Sequence, residues 1–160
     1  MAITVRPAAA GDLDQLRAHE ARPDLGLVDK HFEAQGAGTL VFAVALEDDT
    51  ALGTAVLDLG EGDFTPELRN MYVYPQARRK GAGRALSTYL EDVAREAGHA
   101  AVYLAVDPEN EKAVPLYVSL EYHPTGEHIF VDDEKVEVEQ VDDEQRGTHY
   151  AVYKKSLTAR

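Results

Sequence analysis

Four of the sixteen Lys and Arg residues fall within seven positions: Arg78, Arg79, Lys80 and Arg84, in the stretch ARRKGAGRAL from Ala77 to Leu86. The same stretch opens a helical pattern. A helix N-terminus already presents free N–H groups and the positive end of the dipole, so cations placed there are repelled. The arrangement becomes favourable if an anion sits on the N–H groups and the side chains offset its charge. Gly81 and Gly83 would let that anion come close to the backbone. The alternative is a solvated basic patch beside a helix cap. Two familiar phosphate loops do not fit. The triphosphate loop needs Lys and Ser or Thr where Arg84 and Ala85 stand, and the dinucleotide loop needs a third glycine where Leu86 stands. The spacing that fits is Arg-x-x-Gly-x-Gly, Arg78 to Gly83, directly after a run ending MYVYP.

The elements that must position this loop follow from periodicity. ITVRPA alternates and stops at Pro7, which predicts a first strand. GDLDQLRAHE places Leu13 and Leu16 at helical spacing, and DLGLVDKHFEAQ predicts a second short helix. TLVFAVAL and ALGTAVLDLG, joined by the polar turn EDDT, predict a hairpin. ELRNMYVYP is a further strand, closed by Pro75. From Gly83 to Ala97 one apolar face is shared by Ala82, Leu86, Tyr89, Leu90, Val93 and Ala97, and Gly98 stands at a helix C-cap. AAVYLAV reads as a buried central strand. NEKAVPLYVSLEY predicts a last short helix starting near Glu111 or Lys112, with Pro115 in its first turn. The tail adds two or three strands. The expected fold is mixed α/β: a mostly antiparallel twisted sheet of about seven strands with about four helices, in one domain spanning residues 1–160.

The segment LRNMYVYPQARRKGAGRAL resembles the acetyl-CoA signature of the GNAT superfamily of N-acetyltransferases. The likeness runs from about Ile3 to Gly126: ITVRPAAAGDLDQL resembles the family's first strand and helix, and NEKAVPLYVSLEY its late Asn-x-x-Ala-x-x-x-Tyr-x-x-x-Gly-Phe stretch. The resemblance implies that the loop Arg78, Arg79, Lys80, Gly81, Ala82, Gly83 and Arg84 binds the pyrophosphate of coenzyme A. It implies that the preceding strand at Met71, Tyr72 and Val73 pairs with the pantetheine arm, and that Asn110 contacts the cofactor. It implies that Tyr117 protonates the departing thiolate. Where the family usually carries Gly-Phe this chain has Glu121-Tyr122, so the helix end there is either strained or built differently.

The chemistry has three needs. The amine must lose a proton, because an alkylammonium of pKa about 10 has no free lone pair at neutral pH. The oxyanion needs donors, a role for the N–H of Met71. The thiolate needs a proton, which a tyrosine can give. Glu67, four residues before Met71, is a candidate base; even spacing puts both side chains on one face of a regular strand. Alternatively Glu67 only flanks Pro66 and a water chain removes the proton. Tyr72 and Tyr74 point away from Met71, toward the core. The chain has no cysteine and shows no Ser–His–Asp arrangement, so direct transfer in a ternary complex is expected over a covalent acetyl-enzyme. The six histidines, His128 and His149 among them, have no metal-ligand spacing, so no metal is expected.

The net charge of −13 opposes nucleic acids and anionic membrane surfaces and favours a cationic amine acceptor. In the family the acceptor enters between the first two helices and the last hairpin, here about His19–Gly38 and His123–Thr148. Asp132 to Glu144 holds eight acids and one Lys. It is either a hairpin kept from aggregating by charge or a funnel for a polycationic amine: a polyamine, an aminoglycoside or a basic peptide. No apolar run reaches membrane-spanning length, and the N-terminus reaches charge at Arg6, so a cytoplasmic protein is expected. The family is often dimeric, and a homodimer is compatible with the resemblance. A competing function on the same scaffold is a non-catalytic acyl-CoA sensor.

Overall fold

A computed structural model of the chain describes residues 2–20, 23–60, 62–106, 113–130 and 149–157. The elements are β1 (Ile3–Pro7), α1 (Leu13–Ala18), α2 (Leu27–Gly36), β2 (Leu40–Glu47), β3 (Thr50–Asp58), β4 (Glu67–Val73), α3 (Ala82–Glu96), β5 (Ala101–Val106), α4 (Ala113–Ser119), β6 (His123–Phe130) and β7 (His149–Ser156). Seven strands form one sheet in the order β1-β2-β3-β4-β5-β7-β6, antiparallel except where β4 meets β5. This is the mixed α/β fold expected from the sequence. The hairpin between β2 and β3 turns on Asp48 and Asp49, with Asp48 in the left-handed region at φ 55°.

The two faces of the sheet are covered differently. On one side α3 buries Ala82, Leu86, Leu90 and Ala94, with Ser87 and Glu91 beside them. This stripe is rotated from the sequence expectation: Tyr89 and Val93 are only partly buried, while the polar Ser87 and Glu91 are inside. On the other side α2 seats the buried His31 against Phe42 of β2, ring centroids 5.3 Å apart. His19, at the end of α1, stacks on Tyr74 at 4.6 Å.

Strand β5 alternates buried Val102, Leu104 and Val106 with partly exposed Ala101, Tyr103 and Ala105. The continuous apolar run is therefore central in the sheet but fully covered on one face only. On the other face Tyr103 is met by Phe64, ring centroids 5.9 Å apart, and by Lys154, 5.8 Å from the ring centre.

The pairing of β3 with β4 contains the feature that shapes the site. Thr54 pairs with Tyr72 and Val56 with Arg69, so the single residue Ala55 faces both Asn70 and Met71. This is a β-bulge, and Asn70 takes the left-handed conformation (φ 53°) that asparagine tolerates better than most residues. Across the bulge Gly53 lets β3 approach closely. A Cβ there would stand 2.5 Å from the Tyr72 carbonyl oxygen and 2.9 Å from the Val73 Cα, closer than side chains tolerate.

Candidate functional site

A bulge inserts one residue and so reverses which face the following side chains take. Glu67, Arg69 and Tyr72 share a face with Asp58, Val56 and Thr54, the side covered by α1 and α2. Met71 and Val73 lie on the other side, against the start of α3. The even-spacing expectation that Glu67 and Met71 share a face is thereby corrected: it holds for a regular strand, and Asn70 breaks the regularity. Tyr72 and Tyr74 do point away from Met71, and both are buried with their rings edge to face at 5.6 Å.

β4 and β5 pair only at Glu67 and Tyr103, where the Tyr103 N–H donates to the Pro66 carbonyl at 3.0 Å. Beyond that point the two parallel strands share no further register, and the bulged end of β4 presents an edge on that side. Such an edge can accept an extended ligand as an added strand.

The basic loop follows immediately. Arg79 (φ 69°) and Gly81 (φ 93°) are both left-handed, the kind of backbone step that curls N–H groups into anion-binding concavities. Gly81 is the N-cap of α3 and supplies no side-chain cap, and the first turn contains no acid. The opening N–H groups of a fifteen-residue helix are thus left to backbone and solvent. All four cations are exposed. Arg78 Nε donates to the Val73 carbonyl at 3.1 Å, Lys80 Nζ to Glu47 at 3.1 Å, and Arg84 Nη2 to the Ser119 hydroxyl at 3.3 Å. Arg84, Thr88, Ser119 and Lys155 line an open recess of about 230 Å³ beside the loop.

Gly83 sits where three elements converge. A Cβ there would lie 3.4 Å from Met71 Sδ, 3.7 Å from Leu116 Cδ2 and 3.8 Å from Val73 Cγ2, all ordinary contacts. The packing therefore does not itself require glycine at this position. It does bring α4 beside the start of α3, and with Leu116 comes Tyr117. Tyr117 is partly buried, its ring edge to face with that of Tyr122 at 6.0 Å.

Glu67 is half-buried, and burial, followed by the nearby charge of Asp58, pushes its carboxyl up to about 7 against the pull of Arg69. Arg69 itself contacts Asp58 at 3.5 Å, and its Nε is buried without a hydrogen-bond partner among the described residues. Next to them burial lowers His31 to about 4, with help from Arg69 and Lys30.

The structure thus gathers Met71, Val73, Gly83 and Leu116 at the start of α3, with Arg78–Arg84 around them, while Tyr117, next to Leu116 in α4, packs on Tyr122. It sets Glu67 on the opposite face of β4. Asn110 and the acidic segment Asp132–Glu144 lie outside the described residues. His128 is exposed on β6. Sequence reasoning missed the bulge, Arg69, His31 and the buried ion pair of Glu91 with Lys155. Asn70, a residue type that tolerates the left-handed conformation, was the one available signal for the bulge. Among the described residues no group of three His, Asp or Glu side chains could hold a metal ion, and no helix is long and apolar enough to cross a membrane.

The family model described as Acetyltransferase (GNAT) family matches residues 10–122. Among curated proteins none matches. Of solved structures, an N-acetyltransferase from Staphylococcus aureus Mu50 superimposes with a TM-score of 0.73 at 16% identity, covering 99% of this chain and 100% of that one. A phosphinothricin acetyltransferase from Sinorhizobium meliloti, in complex with AcCoA, gives 0.71 at 17%, covering 98% and 89%. The PaiA N-acetyltransferase from Thermoplasma acidophilum, in complex with coenzyme A, gives 0.65 at 16%, covering 98% and 99%.

Proposed function

The chain belongs to the acetyltransferase (GNAT) family, and from that premise we propose that it transfers an acetyl group from acetyl-CoA to a primary amine by direct attack in a ternary complex. The observation that carries this reading is the uncapped start of α3, which meets a left-handed basic loop and the open edge of β4. Each part suits one portion of the co-substrate. The N–H groups of the Arg78–Arg84 loop take the pyrophosphate, with Arg79, Lys80 and Arg84 offsetting its charge. The edge at Met71 and Val73 takes the pantetheine arm as an added strand. Asn110 is the further contact that the family pattern implies.

At the reacting centre the Met71 N–H donates to the oxyanion as the amine attacks the thioester carbonyl. The carbon–sulfur bond then breaks, and Tyr117 gives the thiolate its proton. Glu67 removes the amine's proton. A carboxyl held near 7 is half ionised at neutral pH, which suits a general base. Because Glu67 lies across β4 from Met71, a water relays that proton around the strand. The acceptor approaches on the face of Glu67, Tyr72 and Tyr103 and carries positive charge, drawn by the net charge of −13.

The test is free-thiol release from acetyl-CoA across a panel of polyamines, aminoglycosides and peptide amines. Amine-dependent release supports the reading. Cofactor binding without release for any amine favours a non-catalytic acyl-CoA sensor instead.

A further inference from the structure

Helices α3 and α4 end in the same hydrogen-bond pattern on different residues. After α3 the Gly98 N–H donates to the Arg95 carbonyl and the His99 N–H to the Ala94 carbonyl, both at 3.0 Å. After α4 the Glu121 N–H donates to the Val118 carbonyl and the Tyr122 N–H to the Tyr117 carbonyl, again at 3.0 Å. The pattern needs a left-handed residue, which is Gly98 (φ 95°) in one case and Glu121 (φ 74°) in the other. Glycine enters that conformation freely, whereas the Cβ of glutamate crowds its own carbonyl. Something must hold the end of α4 in place despite this strain.

The residue that follows is anchored from two directions. Tyr122 is fully buried, and its hydroxyl donates to Glu91 Oε2 of α3 at 2.9 Å. Lys155 of β7 donates to the other oxygen, Glu91 Oε1, at 2.8 Å, and its Nζ lies 5.8 Å from the Tyr122 ring centre. Both oxygens of the buried carboxylate are therefore occupied, as a buried ion pair requires. Burial, followed by the Glu91 charge, raises the Tyr122 phenol, so it remains a hydrogen-bond donor. The same residue touches Tyr117 twice, through the backbone bond at 3.0 Å and through the rings at 6.0 Å and 73°.

We propose that Tyr122, fixed by the Glu91–Lys155 ion pair, is a positioning residue: it offsets the strained helix end at Glu121 and holds the Tyr117 hydroxyl where it can protonate the leaving thiolate. This rests on the reading of Tyr117 as the acid. Phenylalanine at 122 would fill the same space and pack against the same ring. What it would lose is the hydroxyl's hydrogen bond to Glu91, the tie from the end of α4 into the ion pair between α3 and β7.

The assay uses the full chain, acetyl-CoA and hydroxylamine, a nucleophile small enough to need no acceptor pocket, with free thiol released above the enzyme-free rate as the readout. Tyr122→Phe keeps the ring and the Glu91–Lys155 pair. It is expected to lower kcat by about tenfold, since small misplacements of a catalytic group are costly, while KM for acetyl-CoA stays within about twofold. Adding Glu121→Gly relieves the strained end and restores most of the lost kcat. A lower melting temperature with kcat unchanged, or a double variant no faster than Tyr122→Phe, overturns the proposal and leaves the transferase reading intact. A wild-type chain that releases no thiol, or a Tyr117→Phe variant as fast as wild type, overturns the reading beneath it and the proposal together.

Discussion

Replacing Glu67 by Gln separates two contributions that oppose each other in the wild-type protein. Glu67 is raised from 4.5 to about 7, chiefly by burial. His31, near the same Arg69, is lowered from 6.5 to about 4, again chiefly by burial. At about 1.4 kcal/mol per pKa unit each shift corresponds to at most about 3 kcal/mol, and the solvent contact of Glu67 reduces its share. The signs differ. The folded state keeps the Glu67 proton to higher pH than the unfolded chain does. Its contribution is therefore full below pH 4.5 and lost as the pH rises through about 7. His31 is neutral in the folded state, so its contribution is full above pH 6.5 and lost as the pH falls through about 4.

Over the shared window the two slopes counteract, and wild-type stability changes little with pH on their account. Glu67→Gln removes one of them. The variant should match wild type near pH 4.5 and exceed it by about 2 kcal/mol at pH 8. For a chain of this size that corresponds to a melting temperature higher by about 4–8 °C. Thermal melts of both proteins from pH 4.5 to 8 measure the gap directly. Parallel curves would refute the argument, because they mean that burial does not raise Glu67. The kinetic arm is separate. If Glu67 is the base, the acid limb of kcat/KM near pH 7 disappears in the variant along with most of the rate. If water alone removes the proton, the limb survives while the stability gap remains.

The other expectations concern the loop, the strand pair and the acceptor. Tyr117→Phe should lower turnover by about tenfold or more with coenzyme A affinity nearly unchanged; calorimetry with coenzyme A beside thiol-release kinetics checks both. Gly83→Ala makes only ordinary contacts, so its melting temperature should stay near wild type. Its methyl should nevertheless weaken coenzyme A binding by about tenfold or more, the worth of one charge-assisted hydrogen bond. Gly53→Ala drives a Cβ into the Tyr72 carbonyl and should cost about 1–3 kcal/mol, read by urea denaturation. For a cationic acceptor, kcat/KM should fall steeply as salt rises, and a flat dependence would remove charge steering from the account.

The legible parts of the chain were those written in local pattern. Alternation marked β1, apolar runs bounded by turns and prolines marked the central strands, Gly98 marked the end of α3, and the glycine spacing after MYVYP marked the candidate anion loop. The mismatch of Glu121 with a glycine position also showed in the sequence, and the structure resolves it as a left-handed glutamate. What stayed hidden depends on pairing between distant strands. Asn70 hints at a left-handed residue, but the pairing of Ala55 with two residues of β4 is not written locally, so the face of Met71 could not be counted from Glu67. The Glu91–Lys155 pair joins positions 64 residues apart and leaves no trace in either segment. The open face of β5 was also hidden, because an apolar run reads alike whether one side or both are covered.

Whether the start of α3 seats a diphosphate is decided by a crystal structure of the chain with coenzyme A. The pyrophosphate oxygens should lie within hydrogen-bond distance of N–H groups between Arg78 and Arg84, with the pantetheine arm along the edge of β4. A cofactor bound elsewhere, or a loop turned away from it, would rule out the anion cradle at Arg78–Arg84.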